Sequence, residues 1–190
     1  MIAMAIVLTL SALAVPTLNA VRMAKLRSAG SDYASLLQNA RITAIQNDAY
    51  YGVVTVKGTP TQSFIDLNGN LRLDQGEPVM AWPSSVSYMG YGDNPPGLAN
   101  LETQSLASAN DPSLDTADNP TFGPRGLPCR PVTGVGGFTT CLAFSGVVAG
   151  TSFITFFQSQ PDGTWLAVVA NPSARVRVFK YSGNSWSPVQ

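Results

Sequence analysis

Histidine does not occur in this chain, which removes the commonest general base and the commonest transition-metal side chain together. Charge is scarce as well: 12% of the 190 residues are charged, 11 basic against 11 acidic. No net field therefore draws the whole molecule to nucleic acid or to an anionic surface, and any such binding has to come from a local patch. The only cysteines are Cys129 and Cys141, too few for a thiolate metal site in a chain without histidine. No Gly-x-Ser-x-Gly elbow surrounds Ser145-Gly146, and carboxylates such as Asp66 with Asp74, or Asp111 with Asp115, fall in turn or loop contexts with no burial to shift a pKa. These absences speak against an enzyme and against a small-molecule substrate. No cofactor is expected apart from the calcium ion weighed below.

Met1 to Val21, MIAMAIVLTLSALAVPTLNAV, contains no charged side chain. About 20 apolar residues at 1.5 Å rise cross the hydrocarbon core of a bilayer, so this run is expected to be a membrane anchor. Beyond it Leu26, Ala29, Tyr33, Leu36, Leu37, Ala40 and Ala44 recur at spacings of three or four, which puts them on one face of a helix. One long helix reaching about Asp48, kinked at Pro16, accounts for both segments. The rival reading is a secreted binding protein with a cleaved signal peptide ending at Leu18-Asn19-Ala20. The lack of a basic region before the apolar run and the helical pattern after Ala20 favour the uncut stalk. Residues 1–48 then form the stalk, and residues 49–190 form one β-rich head domain.

The head carries most of the 17 glycines and 14 prolines, which suits a turn-rich β domain. Tyr50–Val56 and Thr61–Leu67 should pair across the Gly58-Thr59-Pro60 turn, followed by short strands at Pro78–Trp82 and Ser85–Met89. From Tyr91 to Pro120 the sequence is polar and shows no sustained period, which predicts a long loop. Strands are expected again over Cys141–Ser145, Ser152–Gln158, Trp165–Ala170 and Arg175–Tyr181. The fold class is α+β: a long N-terminal helix, transmembrane in front and amphipathic behind, packed on an antiparallel β-sheet.

Cys129 and Cys141 stand twelve positions apart around Gly134, Gly136 and Gly137, in a stretch that reads as a hairpin. A disulfide closing that loop would add a few kcal/mol in the loop-entropy picture and needs an oxidising compartment; two buried thiols are the alternative.

Asp66, Asn68, Asn70, Arg72, Asp74 and Glu77 occupy positions 1, 3, 5, 7, 9 and 12 of a twelve-residue loop, the spacing by which an EF-hand supplies oxygens to Ca²⁺. Leu71 holds the sixth position, where the sharp turn calls for glycine. Strand formers flank one side, where a helix would be expected. The same residues read equally as a β-hairpin turn whose Asn and Asp side chains satisfy nearby backbone groups.

Arg175 and Arg177 lie two apart on a predicted strand and so project from one face, with Lys180 close by. Such a pair can meet consecutive phosphates of DNA without reading bases. It can equally guard an exposed edge strand against aggregation.

The apolar helix with Pro16, its continuation Arg27–Asn47, the segment Phe64–Asn70 running to Gly76-Glu77-Pro78, the stretch Phe122–Pro128 and the basic strand Arg175–Val178 occur in the order found in type IV pilin-like subunits. The chain resembles the GspH/FimT family of minor pilins and type II secretion pseudopilins. The resemblance implies a non-catalytic subunit of a type IV pilus or type II secretion filament. Its N-terminal helix would lie in the bacterial inner membrane before assembly and then pack against other pilin or pseudopilin subunits, with the head in the periplasm or outside the cell. It also implies a prepilin-peptidase stretch of Phe-Thr-Leu-Ile-Glu type upstream of Met1, after a basic leader. Without such a leader, Arg22, Lys25 and Arg27 would hold the head in the cytoplasm and conflict with a disulfide. Some FimT-type pilins bind DNA during uptake through a Gly-Arg-x-Arg stretch, which is similar to Ala174–Arg177 with alanine in place of the glycine.

Overall fold

The seven residues at helical spacing in the stalk do form one buried stripe, and the rest of the head is arranged around it. In the computed structural model residues 2–89, 93–105, 119–129, 131–134, 137–141 and 152–189 are described, the side chains of 2–19 and 131–141 excepted. Helix α1, Ile2–Gln46, runs unbroken through Pro16. Leu26, Ala29, Tyr33, Leu36, Leu37, Ala40 and Ala44 are all at most 5% exposed, and their shared face exists because i, i+3, i+4 and i+7 align on a helix of 3.6 residues per turn. At about 1.5–3 kcal/mol for each large apolar side chain removed from water, this stripe is the main bond between helix and head.

Two antiparallel sheets receive it. The first has the order β3-β2-β1-β5-β6, from β1 (Tyr51–Val56), β2 (Gln62–Asp66), β3 (Val79–Ala81), β5 (Thr121–Phe122) and β6 (Pro128–Cys129). The second has the order β12-β11-β10-β9-β4, from β4 (Val86–Met89), β9 (Phe153–Ser159), β10 (Trp165–Ala170), β11 (Val176–Ser182) and β12 (Ser185–Pro188). A separate hairpin joins β7 (Pro131–Gly134) to β8 (Gly137–Cys141). Val53 and Ile65 of the first sheet and Phe157, Leu166 and Val168 of the second share one core with the α1 stripe. At the closest approach Gly30 is buried, and a Cβ there would stand 2.5 Å from Leu166 Cδ2.

Between the sheets Trp82 stacks on Phe157 at 4.5 Å and meets Tyr33 and Tyr88 at 5.8 and 5.6 Å. Trp82 Nε1 donates to Ser63 Oγ at 2.8 Å, and Thr155 Oγ1 donates to the Tyr33 hydroxyl at 3.3 Å. Burial, with a smaller contribution from neighbouring Tyr88, pushes the Tyr33 hydroxyl well above the ordinary phenol range.

The structure departs from the single expected sheet and adds elements. Helix α2, Leu98–Ser105, lies inside the stretch expected to be a loop. Its apolar contact is little more than Leu98 and Leu101, too short a pattern to register as a period, and it is fixed from far away. Trp186 donates its backbone N–H to Asn100 Oδ1 at 2.9 Å and its Nε1–H to the Pro96 carbonyl at 2.6 Å. Leu101, Phe156, Ala167, Val169, Phe179 and Trp186 thereby form a second core on the far face of the second sheet. The remainder of that expected loop, 106–118, and the expected strand residues 142–145 lie outside the described residues.

No helix among the described residues is long and apolar enough to cross a membrane. The side chains up to Asn19, on which the membrane-anchor expectation rests, lie outside them.

Candidate functional site

Three features of the head could carry function. They are the turn after β2, the basic start of β11 and the disulfide-bearing strand β6.

The turn from Asp66 to Pro78 is built around two carboxylates. Asp66 is 1% exposed; its Oδ1 accepts the N–H groups of Gly69 and Asn70 at 2.7 and 3.2 Å, and its Oδ2 accepts that of Leu71 at 2.8 Å. Glu77 closes the other end, Oε1 accepting from the Leu67 N–H at 2.9 Å and Oε2 from the Asp74 N–H at 3.0 Å. Asp74 Oδ2 receives the side-chain amides of Asn68 and Asn70, both at 2.6 Å. Those two amides hold the Asp74 carboxyl below the usual carboxylate range. Asn70 Oδ1 accepts the Arg72 N–H at 2.8 Å. All six residues singled out by the EF-hand spacing therefore meet in one loop. Leu71 makes the sharp turn itself, at φ 61°, a conformation that costs a residue with a Cβ about 1–2 kcal/mol. Both carboxylates that would lead a calcium site are engaged by backbone N–H groups, as in a hairpin turn satisfied by its own side chains. Among the described residues no three His, Cys, Asp or Glu side chains are placed to hold a metal ion.

The basic strand starts from a tight reversal. The Ala174 N–H donates to the Asn171 carbonyl at 2.8 Å, and Asn171 Oδ1 accepts the Arg175 N–H at 3.0 Å. Ala174 is fully buried and takes φ 62°, so alanine adopts the left-handed conformation that glycine would take at no steric cost. Arg175 is exposed and Arg177 half-buried. Arg175 stands just before β11, where strand alternation does not fix its face, and within the strand alternation puts Arg177 and Lys180 on opposite faces. Arg177 is opposite Val169 and Lys180 opposite Leu166 in the β10–β11 register; Val169 belongs to the far core and Leu166 to the α1 core. Of the aromatic residues nearby, Phe179 and Trp186 are 1% exposed and spent on packing.

Reading the sequence alone did not pick out Arg41. Its Nη1 donates to the Ala174 carbonyl at 3.3 Å and ties the end of α1 to this reversal. No spacing signals such a contact, because the partners are 133 residues apart. Arg125 sits exposed in the turn from Gly123 to Leu127, which joins β5 to β6 through the bond from the Gly126 N–H to the Gly123 carbonyl at 2.8 Å.

Cys129 of β6 is disulfide-bonded and 1% exposed. The other cysteine of the sequence, Cys141, ends β8. Of the carboxylates expected to lie unburied in turns or loops, Asp66 is instead buried, because its two oxygens are drawn inward to the backbone N–H groups of Gly69, Asn70 and Leu71; Asp74 is held by Asn68 and Asn70, and Asp111 and Asp115 lie outside the described residues.

Compared with known proteins, the chain is 32% identical over 123 residues to the pilin-like protein PilA1 of Thermus thermophilus, a match that covers 64% of this chain and 69% of that protein. No protein-family model matches the chain, and no solved structure does.

Proposed function

The chain belongs to the type IV pilin-like proteins, and from that premise we propose that it is a non-catalytic minor pilin or pseudopilin, assembled through α1 into a type IV pilus or type II secretion filament. The observation that carries this reading is the 45-residue helix α1, Ile2–Gln46, whose rear part is tied to the head by the buried stripe from Leu26 to Ala44. In this reading the uncharged front half, Met1 to Val21, enters lipid before assembly and packs on neighbouring helices afterwards, where close helix packing drives association. The disulfide-bonded Cys129 supports a head on the oxidising side of the membrane, in the periplasm or on the cell surface. A photo-crosslinker placed at Val7 or Leu10 tests the proposal: it should give a ladder of adducts with other pilin-like subunits in a filament fraction. Recovery of the chain only as a free head beginning at Val21 would refute it and support the signal-peptide reading instead.

A second reading, a minor pilin that binds DNA during uptake, is favoured by one observation. Ala174 takes the left-handed turn that the glycine of a Gly-Arg-x-Arg stretch would make, at the entry to the strand that carries Arg177. Calcium at Asp66, Asn68, Asn70, Arg72, Asp74 and Glu77 remains a proposal resting on spacing alone.

A further inference from the structure

A cavity of about 480 Å³ opens between the turn that joins β1 to β2 and the start of β4, within the ~300–1,000 Å³ range of ligand pockets. Val86, Ser87 and Tyr88 line it in succession. Consecutive residues of a strand point to opposite faces, so three in a row border a pocket only along the strand's edge. β4 is indeed the edge strand of its sheet.

The register shows which backbone groups that edge leaves open. Val86 is opposite Ser159 and Tyr88 opposite Phe157, while the Gln160 N–H donates to the Ser85 carbonyl at 2.8 Å. Because ladder bonds alternate along an antiparallel pair, Ser85, Ser87 and Met89 bond to β9, and Val86 and Tyr88 turn their backbone groups outward. The Val86 N–H is taken by the Pro83 carbonyl at 2.9 Å. Among the described residues the Val86 carbonyl and both backbone groups of Tyr88 have no backbone partner, which leaves a short template for another strand.

Lys57 is the only charged side chain among the lining residues. It is exposed, and its ammonium stands 5.4 Å from the centre of the Tyr88 ring, over the cavity wall. No carboxylate pairs with it among the described residues. An open strand edge beside an unpaired cation calls for an extended chain with a negative charge.

We propose that the free edge of β4 and the cavity beside it bind an extended acidic peptide segment of a partner protein, which adds as a strand along Val86–Tyr88 and places a side-chain carboxylate on Lys57. Although Trp82 packs on Tyr33 of α1 from within, none of the described lining residues belongs to α1, so binding there is tested separately from assembly through the helix.

The test uses the purified full chain and the fluorescein-labelled, C-terminally amidated peptide Thr-Val-Glu-Val-Thr. Saturable binding by anisotropy is expected, with slowed amide exchange at Tyr88. A peptide with Gln for Glu should bind about three-fold more weakly, the worth of one exposed ion pair. Lys57→Gln should erase that difference without changing the circular dichroism, and a peptide N-methylated on its valines should not bind. Any of four results would overturn the proposal: no saturable binding, equal affinity for the Glu and Gln peptides, an unchanged preference in Lys57→Gln, or displacement of the peptide by free glutamate at matched concentration, which would mark a small-carboxylate site.

Discussion

Asp66 is the residue on which the turn after β2 depends, and removing its carboxylate gives the sharpest test of how that turn is held. It accepts from Gly69, Asn70 and Leu71 at 2.7, 3.2 and 2.8 Å while 1% exposed. Hydrogen bonds to a charged acceptor are worth about 1.5–3 kcal/mol each, but in Asp66→Ala the freed N–H groups of an exposed loop are partly rehydrated, which lowers the net loss to roughly 1 kcal/mol per bond, or about 3 kcal/mol in all. With a urea dependence of about 2 kcal/mol per molar, the midpoint should fall by about 1.5 M. Asp66→Asn keeps one acceptor oxygen but turns an amide toward the remaining N–H, and about half the loss is expected. Urea unfolding followed by circular dichroism measures both. Amide exchange should accelerate at Gly69 and Leu71 before it does so in β1. A loss below about 1 kcal/mol for Asp66→Ala would refute the claim that these bonds hold the turn. The same experiment separates the two readings of the loop: a self-satisfied turn gives the same midpoint with and without millimolar calcium, whereas a calcium loop gives a rise in the native chain that Asp66→Asn and Asp74→Asn both lose.

At the seam between α1 and β10, Gly30→Val should cost about 2 kcal/mol or more, because overpacking against fully buried Leu166 outweighs a small gain in helix propensity. Gly30→Ala should be close to neutral, since the propensity gain of about 1 kcal/mol offsets the clash, and thermal unfolding checks both. Tyr33 is buried neutral with its ionisation pushed upward, so its contribution is intact below pH 10.0, the ordinary phenol value, and is lost as pH rises beyond it. An alkaline melt should show tyrosinate absorbance appearing together with unfolding, and Tyr33→Phe should shift that transition to higher pH. If the basic strand binds DNA, Arg175→Ala with Arg177→Ala weakens retention on duplex DNA and lowers the salt slope of what remains by about two. Lys180→Ala, on the face opposite Arg177, leaves retention nearly unchanged.

Local pattern carried far in this chain. The spacing of Leu26 through Ala44 was legible because a helix has a single period, and all seven residues are buried. Alternation and turn residues likewise marked β1, β2, β9, β10 and most of β11, where hairpin partners are close in sequence. The α2 helix was not legible, nor was β12, because each depends on Trp186 reaching Pro96 and Asn100 about ninety residues away. The sequence also put Lys180 with the arginines by proximity, whereas strand parity, once the register with β10 was set, placed it on the face opposite Arg177.

Composition and periodicity alone thus determined an α+β subunit with a helical stalk, an uncharged front and a head without histidine chemistry, because those properties follow from residue identity and nearest-neighbour spacing. Only the tertiary structure decided that the strands divide into two sheets on either side of Trp82, that Ala174 makes the turn of a glycine, and that Lys57 stands beside an open strand edge. Those outcomes depend on contacts between segments far apart in the chain, and no local period encodes which distant surfaces will meet.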